Sequence, residues 1–277
     1  TLLGAAVDSG SVGHAMSLDT VSNNGTRMLG PILGGMFLQW VGLTGVYVFS
    51  AVGYIGAILC ALALSSTIGR SEQKGRGVIS AISRSLPLLK SQPLLAGILM
   101  VTVVFNLWGF PFISMIPVIG KEILVLNSFY VGLLMSAEGC GALIGALLVA
   151  SAGQARHYRR LYVSGICLYL VMIIMFSQST SFVGSGVCLL LVGLGVAAFA
   201  AMQSTLILLT APAEARSLMM GLLSMCIGMG PIGLLHIGLL ADWLGAPAAI
   251  AILGTEGVVA LWLVLRRWPS LWDLQYR

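Results

Sequence analysis

Charge is what this sequence has least of. Asp, Glu, Lys and Arg together make up 8% of its 277 residues, against roughly 25% in a soluble globular protein. So few charges cannot cover a water-exposed surface, which excludes an ordinary soluble domain. Other absences exclude specific chemistries. No Cys-x-x-Cys pair occurs, and Cys60, Cys140, Cys167, Cys188 and Cys226 all sit inside apolar stretches; neither a disulfide framework nor a thiolate metal site fits that placement. No phosphate-loop lysine motif is present, so ATP is not a visible energy source, and no His-Glu-x-x-His occurs to support an intramembrane zinc protease. No cofactor is implied. Two glycine patterns, Gly228-x-Gly230-x-x-Gly233 and Gly193-x-Gly195-x-x-Ala198, match the dinucleotide fingerprint by letter. Both lie inside apolar runs with no preceding strand, so they carry no cofactor meaning.

What is abundant is apolar. Hydrophobic residues are 58% of the chain, glycine numbers 35 and mean hydropathy is +1.01. Eight runs reach the ~20 residues that a membrane-spanning helix needs: approximately 17–40, 43–65, 94–117, 128–151, 161–179, 182–210, 217–240 and 247–265. Tight turns are expected near 42–44 and 179–181. The long connection 66–93 carries Ile79, Ile82, Leu86 and Leu89 at helical spacing, which predicts a short amphipathic helix at the membrane surface. The fold class is therefore an all-α polytopic membrane protein. Eight spans put both chain ends on one side. Twelve of the 14 Lys and Arg fall in loops on that side, while only Lys121 lies opposite and Arg27 lies within the first span. Positive loops face the cytoplasm, so both ends and the long loop are expected there. That placement accounts for the basic pI of about 9.1 without a nucleic-acid partner.

A repeat links the first and seventh spans. Gly30-Pro31-Ile32 returns as Gly230-Pro231-Ile232, and Trp40-Val41-Gly42 returns as Trp243-Leu244-Gly245. Both copies run in the same direction across the membrane, as in transporters built from two similar halves. Six helices separate the copies, which predicts six helices per half. On that count, residues 1–65 hold the last two helices of a first half, 66–93 connect the halves, and 94–277 form a complete second half and tail. Four helices are then expected ahead of Thr1, and the chain reads as a cut through a longer protein.

Three segments carry a family resemblance. Ala15–Gly35, AMSLDTVSNNGTRMLGPILGG, is similar to the fifth-helix antiporter motif of the major facilitator superfamily; Gly30, Pro31, Gly34 and Gly35 stand intact, while Ser17 and Thr26 replace two glycines of the full motif. Ala211–Met225 and Gly238–Ile252 are similar to loop and helix segments of the same superfamily. The sequence most resembles its bacterial exporters, the drug:proton antiporters and the enterobactin-exporter-like and macrolide-efflux-like branch. The resemblance implies a major-facilitator-type bundle, here eight helices of an expected twelve. It also implies a multi-pass protein of the bacterial cytoplasmic membrane that works as a monomer when complete.

The candidate functional residues follow from ionisable and polar groups inside apolar runs, which are costly in lipid and face a cavity or a partner. Asp19, Asn23 and Arg27 are spaced by four, so they stack on one helix face running into Pro31. The resemblance implies that this helix packs against the fourth span, which carries Glu138. Arg27 and Glu138 are therefore expected to approach, as a proton-sensitive pair or as a fixed ion pair. Gly30-x-x-x-Gly34 and Gly141-x-x-x-Gly145 are expected as close-packing ridges. The resemblance places Asn106, Trp108 and Phe110 of the third span and Gln203 of the sixth around a substrate cavity. His236 is a candidate proton relay or a packing residue, and Glu256 is expected to turn inward. The function expected is export of a small amphiphilic molecule by proton antiport with alternating access, with the lipid bilayer as surroundings. Uptake by the same fold and a non-transporting truncated membrane subunit are the alternatives; no catalytic constellation points to an enzyme.

Overall fold

The computed structural model describes residues 12–65, 78–151 and 157–272, and every regular element among them is helical. Helix α1 covers Val12–Ser65 and α2 covers Val78–Ser91. A third span starts with α3, Pro93–Val104. It continues through a π-turn at Phe105–Gly109, a 3-10 turn at Phe110–Met115, the short α4 at Ile116–Val118 and a second π-turn at Ile119–Ile123. Then come α5 (Ser128–Ser151), α6 (Tyr158–Ser177), α7 (Phe182–Thr210), α8 (Arg216–Ile227), α9 (Gly230–Leu244) and α10 (Ala246–Arg267). Seven of the resulting segments are long and apolar enough to cross a membrane.

The first of these seven is 39 residues long, Gly25–Ala63. A straight helix of that length would run roughly 58 Å at 1.5 Å per residue, about twice the hydrocarbon core. It does not run straight. Gly42 takes φ 67° and ψ −178°, a conformation essentially restricted to glycine. The rings of Phe37 and Phe49 stack with centroids 5.1 Å apart, where twelve residues of straight helix would separate them by roughly 18 Å. So α1 is a hairpin of two antiparallel arms, and the eight apolar runs of the sequence are all present. The exit between α9 and α10 repeats the device: Gly245 takes φ 80° and ψ 159°. The two tryptophan-apolar-glycine sequences thus make the same turn.

Other boundaries have local causes. Pro93 opens α3 at a position where its missing N–H costs nothing. The Ser181 side chain accepts from Gly184 N at 3.1 Å and caps α7. Pro111 and Pro117 interrupt the third span and remove backbone donors, which coincides with its irregular turns. The predicted surface helix forms as α2, beside α3 and α8. Residues 66–77 lie outside the described residues.

Glycine decides how closely the helices meet. Any Cβ at Gly193 would strike the Glu138 carbonyl, at Gly141 the Leu190 carbonyl, and at Gly165 the Gly195 carbonyl at 2.7 Å. These contacts lock α5, α6 and α7 together backbone to backbone, the expected role of Gly141 and Gly145. The core they enclose is aromatic. Phe105 stacks on Phe199 at 4.5 Å and meets Tyr169 tilted at 5.0 Å, and Tyr162 stacks on Phe199 at 5.1 Å. On the second arm of α1 every residue from Tyr47 to Ala63 is exposed.

Candidate functional site

The first arm of α1 crosses α5 antiparallel, and small residues set the register. A Cβ at Gly35 would meet the Ser128 carbonyl at 2.5 Å, one at Gly132 the Pro31 carbonyl, and one at Gly139 the Arg27 carbonyl at 2.7 Å. Successive turns of α1 thus pass Gly132 and Gly139 of α5, while Gly141 and Gly145 face α7. Gly30 and Gly34 differ from expectation: a Cβ on either meets nothing within 4 Å. They do not form a packing ridge but border open space, and the contact on this arm is made by Gly35.

The backbone approach at Gly139 brings together the two ionisable residues of this interface. Arg27 Nη2 donates to Glu138 Oε1 at 2.6 Å. The Glu138 side chain is 10% exposed and that of Arg27 44%. The carboxylate is therefore enclosed, while the guanidinium keeps donors open to the adjoining cavity. An ion removed from water is costly unless paired, so each member stabilises the other here. Asp19 and Asn23 lie on the same arm, and their side chains fall outside the described residues.

The cavity beside the pair measures about 650 Å³ and is lined by Arg27, Gly30, Pro31, Phe105, Phe110, Met135 and Glu138, among others. A second chamber of about 390 Å³ is lined by Asn106, Phe110, Phe199, Gln203, Gly230, Pro231 and Leu234, among others. Phe105, Phe110, Val196 and Ala200 line both. The two glycine-proline copies of the repeat therefore each border one chamber, on either side of a shared apolar wall.

A hydrogen-bond chain fixes the amides of the second chamber. Gln203 Nε2 donates to Thr102 Oγ1 at 2.7 Å, Thr102 donates to the Ile98 carbonyl at 3.0 Å, and Asn106 Nδ2 donates to the Thr102 carbonyl at 2.9 Å. The Tyr162 hydroxyl also donates to the Ile98 carbonyl, at 2.9 Å. One N–H of each amide, Asn106 and Gln203, is thus held by protein, and their carbonyl oxygens accept nothing among the described residues. Thr102 and Tyr162 were not among the residues expected. Thr102 stands one helical turn before Asn106 in an apolar run, and that i, i+4 polar pair was the available signal.

Trp108 departs from expectation. It lines neither chamber; its indole Nε1 donates to Glu256 Oε2 at 2.9 Å. Asn106 and Phe110 are four residues apart and share a face, whereas Trp108, two residues from each, points away from it. Glu256 does not turn fully inward either. Its side chain is 40% exposed, with His236 Nε2 3.6 Å from the same oxygen. His236 lies apart from the Arg27–Glu138 pair, on the flank formed by α9 and α10. Among the described residues no group of three His, Cys, Asp or Glu could hold a metal ion.

A family model described as transmembrane secretion effector matches residues 2–271. The chain belongs to that family, within the major facilitator superfamily. By family and fold it is a multi-pass, all-helical membrane protein. The chain is also 23% identical over 243 residues to a multi-drug resistance efflux pump PmrA homolog of Lactococcus lactis subsp. lactis (strain IL1403). That match takes in 86% of this chain and 59% of the relative, so the chain spans less than two thirds of the relative's length. Among solved structures it resembles a bacterial homolog of the human lysosomal transporter Spinster, in an inward-facing, unoccupied conformation. The TM-score is 0.59 at 15% identity, over 96% of this chain and 73% of the other. At that identity the likeness concerns the fold.

Proposed function

We propose that this chain is part of a secondary exporter of the bacterial cytoplasmic membrane, which moves a small amphiphilic molecule outward in exchange for protons by alternating access. The observation that carries the reading is the Arg27–Glu138 contact at 2.6 Å, which joins two crossing helices and opens onto a 650 Å³ cavity. With Glu138 ionised, the pair fastens α1 to α5. A proton arriving on Glu138 neutralises the carboxylate, removes the Coulomb attraction and frees the helices to slide along their glycine contacts. Loss of that proton to the other side restores the pair. Residues 1–65 then belong to the first half of the transporter, 66–93 to the link between halves, and 94–277 to the second half, with both described ends in the cytoplasm. The exposed second arm of α1 supports this division, because its apolar faces call for covering by lipid and by helices of the same half.

The chamber chemistry narrows the substrate class. Apolar and aromatic walls favour an amphiphile, and the open carbonyl oxygens of Asn106 and Gln203 favour one that carries N–H or O–H donors. The efflux-pump name of the Lactococcus relative supports export over uptake. The test is efflux of a fluorescent amphiphile from cells carrying the complete gene. Glu138→Gln is expected to abolish gradient-driven efflux while leaving downhill exchange, and a protonophore is expected to reproduce that pattern in the wild type. Efflux that ignores the protonophore excludes proton coupling.

A further inference from the structure

The donors and acceptors that face the second chamber are fixed from behind it. Thr102 has one hydroxyl proton and gives it to the Ile98 carbonyl at 3.0 Å. The Tyr162 hydroxyl gives its own proton to the same carbonyl at 2.9 Å. Thr102 Oγ1 is thereby left as an acceptor, so the Gln203 amide, 2.7 Å away, can meet it only with its NH2 group. Asn106 is held the same way, because the Thr102 carbonyl, 2.9 Å from its Nδ2, can only accept. Both amides therefore turn their oxygens away from Thr102. Asn106 is 6% exposed and Gln203 7%, and both line the chamber. Neither oxygen accepts a hydrogen bond among the described residues, and neither is sealed as the unpartnered hydroxyls of Ser136 and Tyr169 are. The hydrogen bonds that set this polarity are buried inside residues 94–277.

The facing edge of the chamber has the opposite polarity. A turn at Gly228 and Met229 separates α8 from α9, so the 15 residues of α9 start at Gly230 and Pro231, and both line the chamber. The approach is close: a Cβ on Gly230 would lie 3.9 Å from Asn106 Oδ1 and 3.7 Å from the Phe110 ring. The start of a helix carries a partial positive charge. Two open amide oxygens alone would suit an ammonium group as well as a hydroxyl. The helix start beside them disfavours the ammonium and favours a donor whose own oxygen is electron-rich. A hydroxyl meets both demands, with its proton towards an amide oxygen and its oxygen towards α9. The rings of Phe105, Phe110 and Phe199 in the same walls suit an aromatic carrier for it.

We propose that this chamber binds an un-ionised hydroxyl on an aromatic ring, a neutral phenol, and that Thr102 is the positioning residue that gives the chamber its accepting oxygens. This deepens the export reading by naming the group that the substrate inserts. It rests on that reading for the chamber's part in transport, while binding itself is measured without a proton gradient.

The test uses the full-length protein in phosphatidylcholine nanodiscs at neutral pH, with tritiated β-naphthol as the probe and protein-free discs as the blank. Saturable binding is expected. Competitors with the same rings read the head group, each at a concentration corrected for its partition into the blank discs. The methyl ether of β-naphthol accepts but cannot donate, and should need at least about fivefold more than β-naphthol for half-displacement, the worth of one hydrogen bond. β-Naphthylmethylammonium and β-naphthoate should also be weaker than β-naphthol. Thr102→Val keeps the shape of the side chain and releases the Gln203 amide; the preference for the naphthol over its ether should then fall below about twofold, and Thr102→Ser should retain it. Binding that does not saturate, an ether that displaces as well as the naphthol, or an ammonium that displaces better would each overturn the proposal. An undiminished preference in Thr102→Val would overturn the role of Thr102. If that variant does not fold, the wild-type series still decides the site, and Gln203→Met, an apolar side chain of similar length, reads the accepting oxygen in its place. Saturable naphthol binding beside efflux that ignores a protonophore would keep this site and reject proton coupling, and the reverse pair of results would reject this site alone.

Discussion

Glu138 and Arg27 occupy different surroundings, and that asymmetry predicts different consequences for losing each. Removing Arg27 leaves an enclosed carboxylate without its partner, whereas Glu138→Gln removes the charge and leaves a neutral amide beside a half-open guanidinium. Breaking an enclosed pair from one side costs about 3–5 kcal/mol. The Arg27→Ala protein should therefore unfold with about 3 kcal/mol less stability in a detergent melt, and Glu138→Gln with visibly less damage. Equal losses would show that the pair contributes through packing alone. A second residue-scale expectation concerns Tyr169, whose buried hydroxyl has no hydrogen-bond partner among the described residues. Leaving a polar group unsatisfied costs about 1–3 kcal/mol, so Tyr169→Phe should leave stability unchanged or raise it by up to about 1 kcal/mol, measured the same way. At this scale the chamber residues were legible once polar groups in apolar runs were combined with the family resemblance. Arg27, Glu138, Asn106, Phe110 and Gln203 all reach the chambers. Trp108 and Glu256 needed coordinates, because they lie 148 residues apart and no local pattern connects the third span to α10.

Elements were legible to a few residues, and the exceptions have causes. The runs 128–151 and 182–210 coincide with α5 and α7, because each is a single apolar stretch bounded by polar or turn residues. The third and seventh spans extend past their predicted limits and break internally. Proline at 111, 117 and 231 and glycine at 228 permit those breaks, but hydropathy does not register them. Nor does hydropathy separate a glycine that packs from one that borders a void: Gly30-x-x-x-Gly34 and Gly141-x-x-x-Gly145 look alike as letters, and only the second is filled. Substitution separates them. Gly132→Ala places a methyl against the Pro31 carbonyl and should cost about 1–3 kcal/mol through overpacking. Gly30→Ala meets nothing and should cost almost nothing in a melt. At the two hairpin turns, Gly42→Ala and Gly245→Ala force alanine into a positive-φ region and should each cost about 1–3 kcal/mol. Comparable loss at both would confirm that the repeat encodes one turn used twice.

For the whole molecule, scarce charge carries topology. Twelve basic residues on one side of eight apolar runs predict that the 66–93 link and the 152–156 loop face the cytoplasm. Single cysteines placed in those loops, in a cysteine-free background, should resist an impermeant maleimide in intact cells and react after lysis. A cysteine near Lys121 should react in both. Fold class, hairpin order and the relation between repeat copies followed from period and glycine-proline punctuation. The two-chamber shape did not, since it arises from helix crossings that sequence spacing cannot set.

The central claim is that Glu138 carries the proton that opens the contact between α1 and α5. The direct measurement is efflux of a fluorescent amphiphile, driven by an imposed pH gradient, from proteoliposomes of the full-length protein with Glu138 or with Gln at position 138. The account predicts gradient-driven efflux from the wild type and, from Glu138→Gln, only the slow downhill movement seen without a gradient. Gradient-driven efflux of equal rate from both proteins would contradict it.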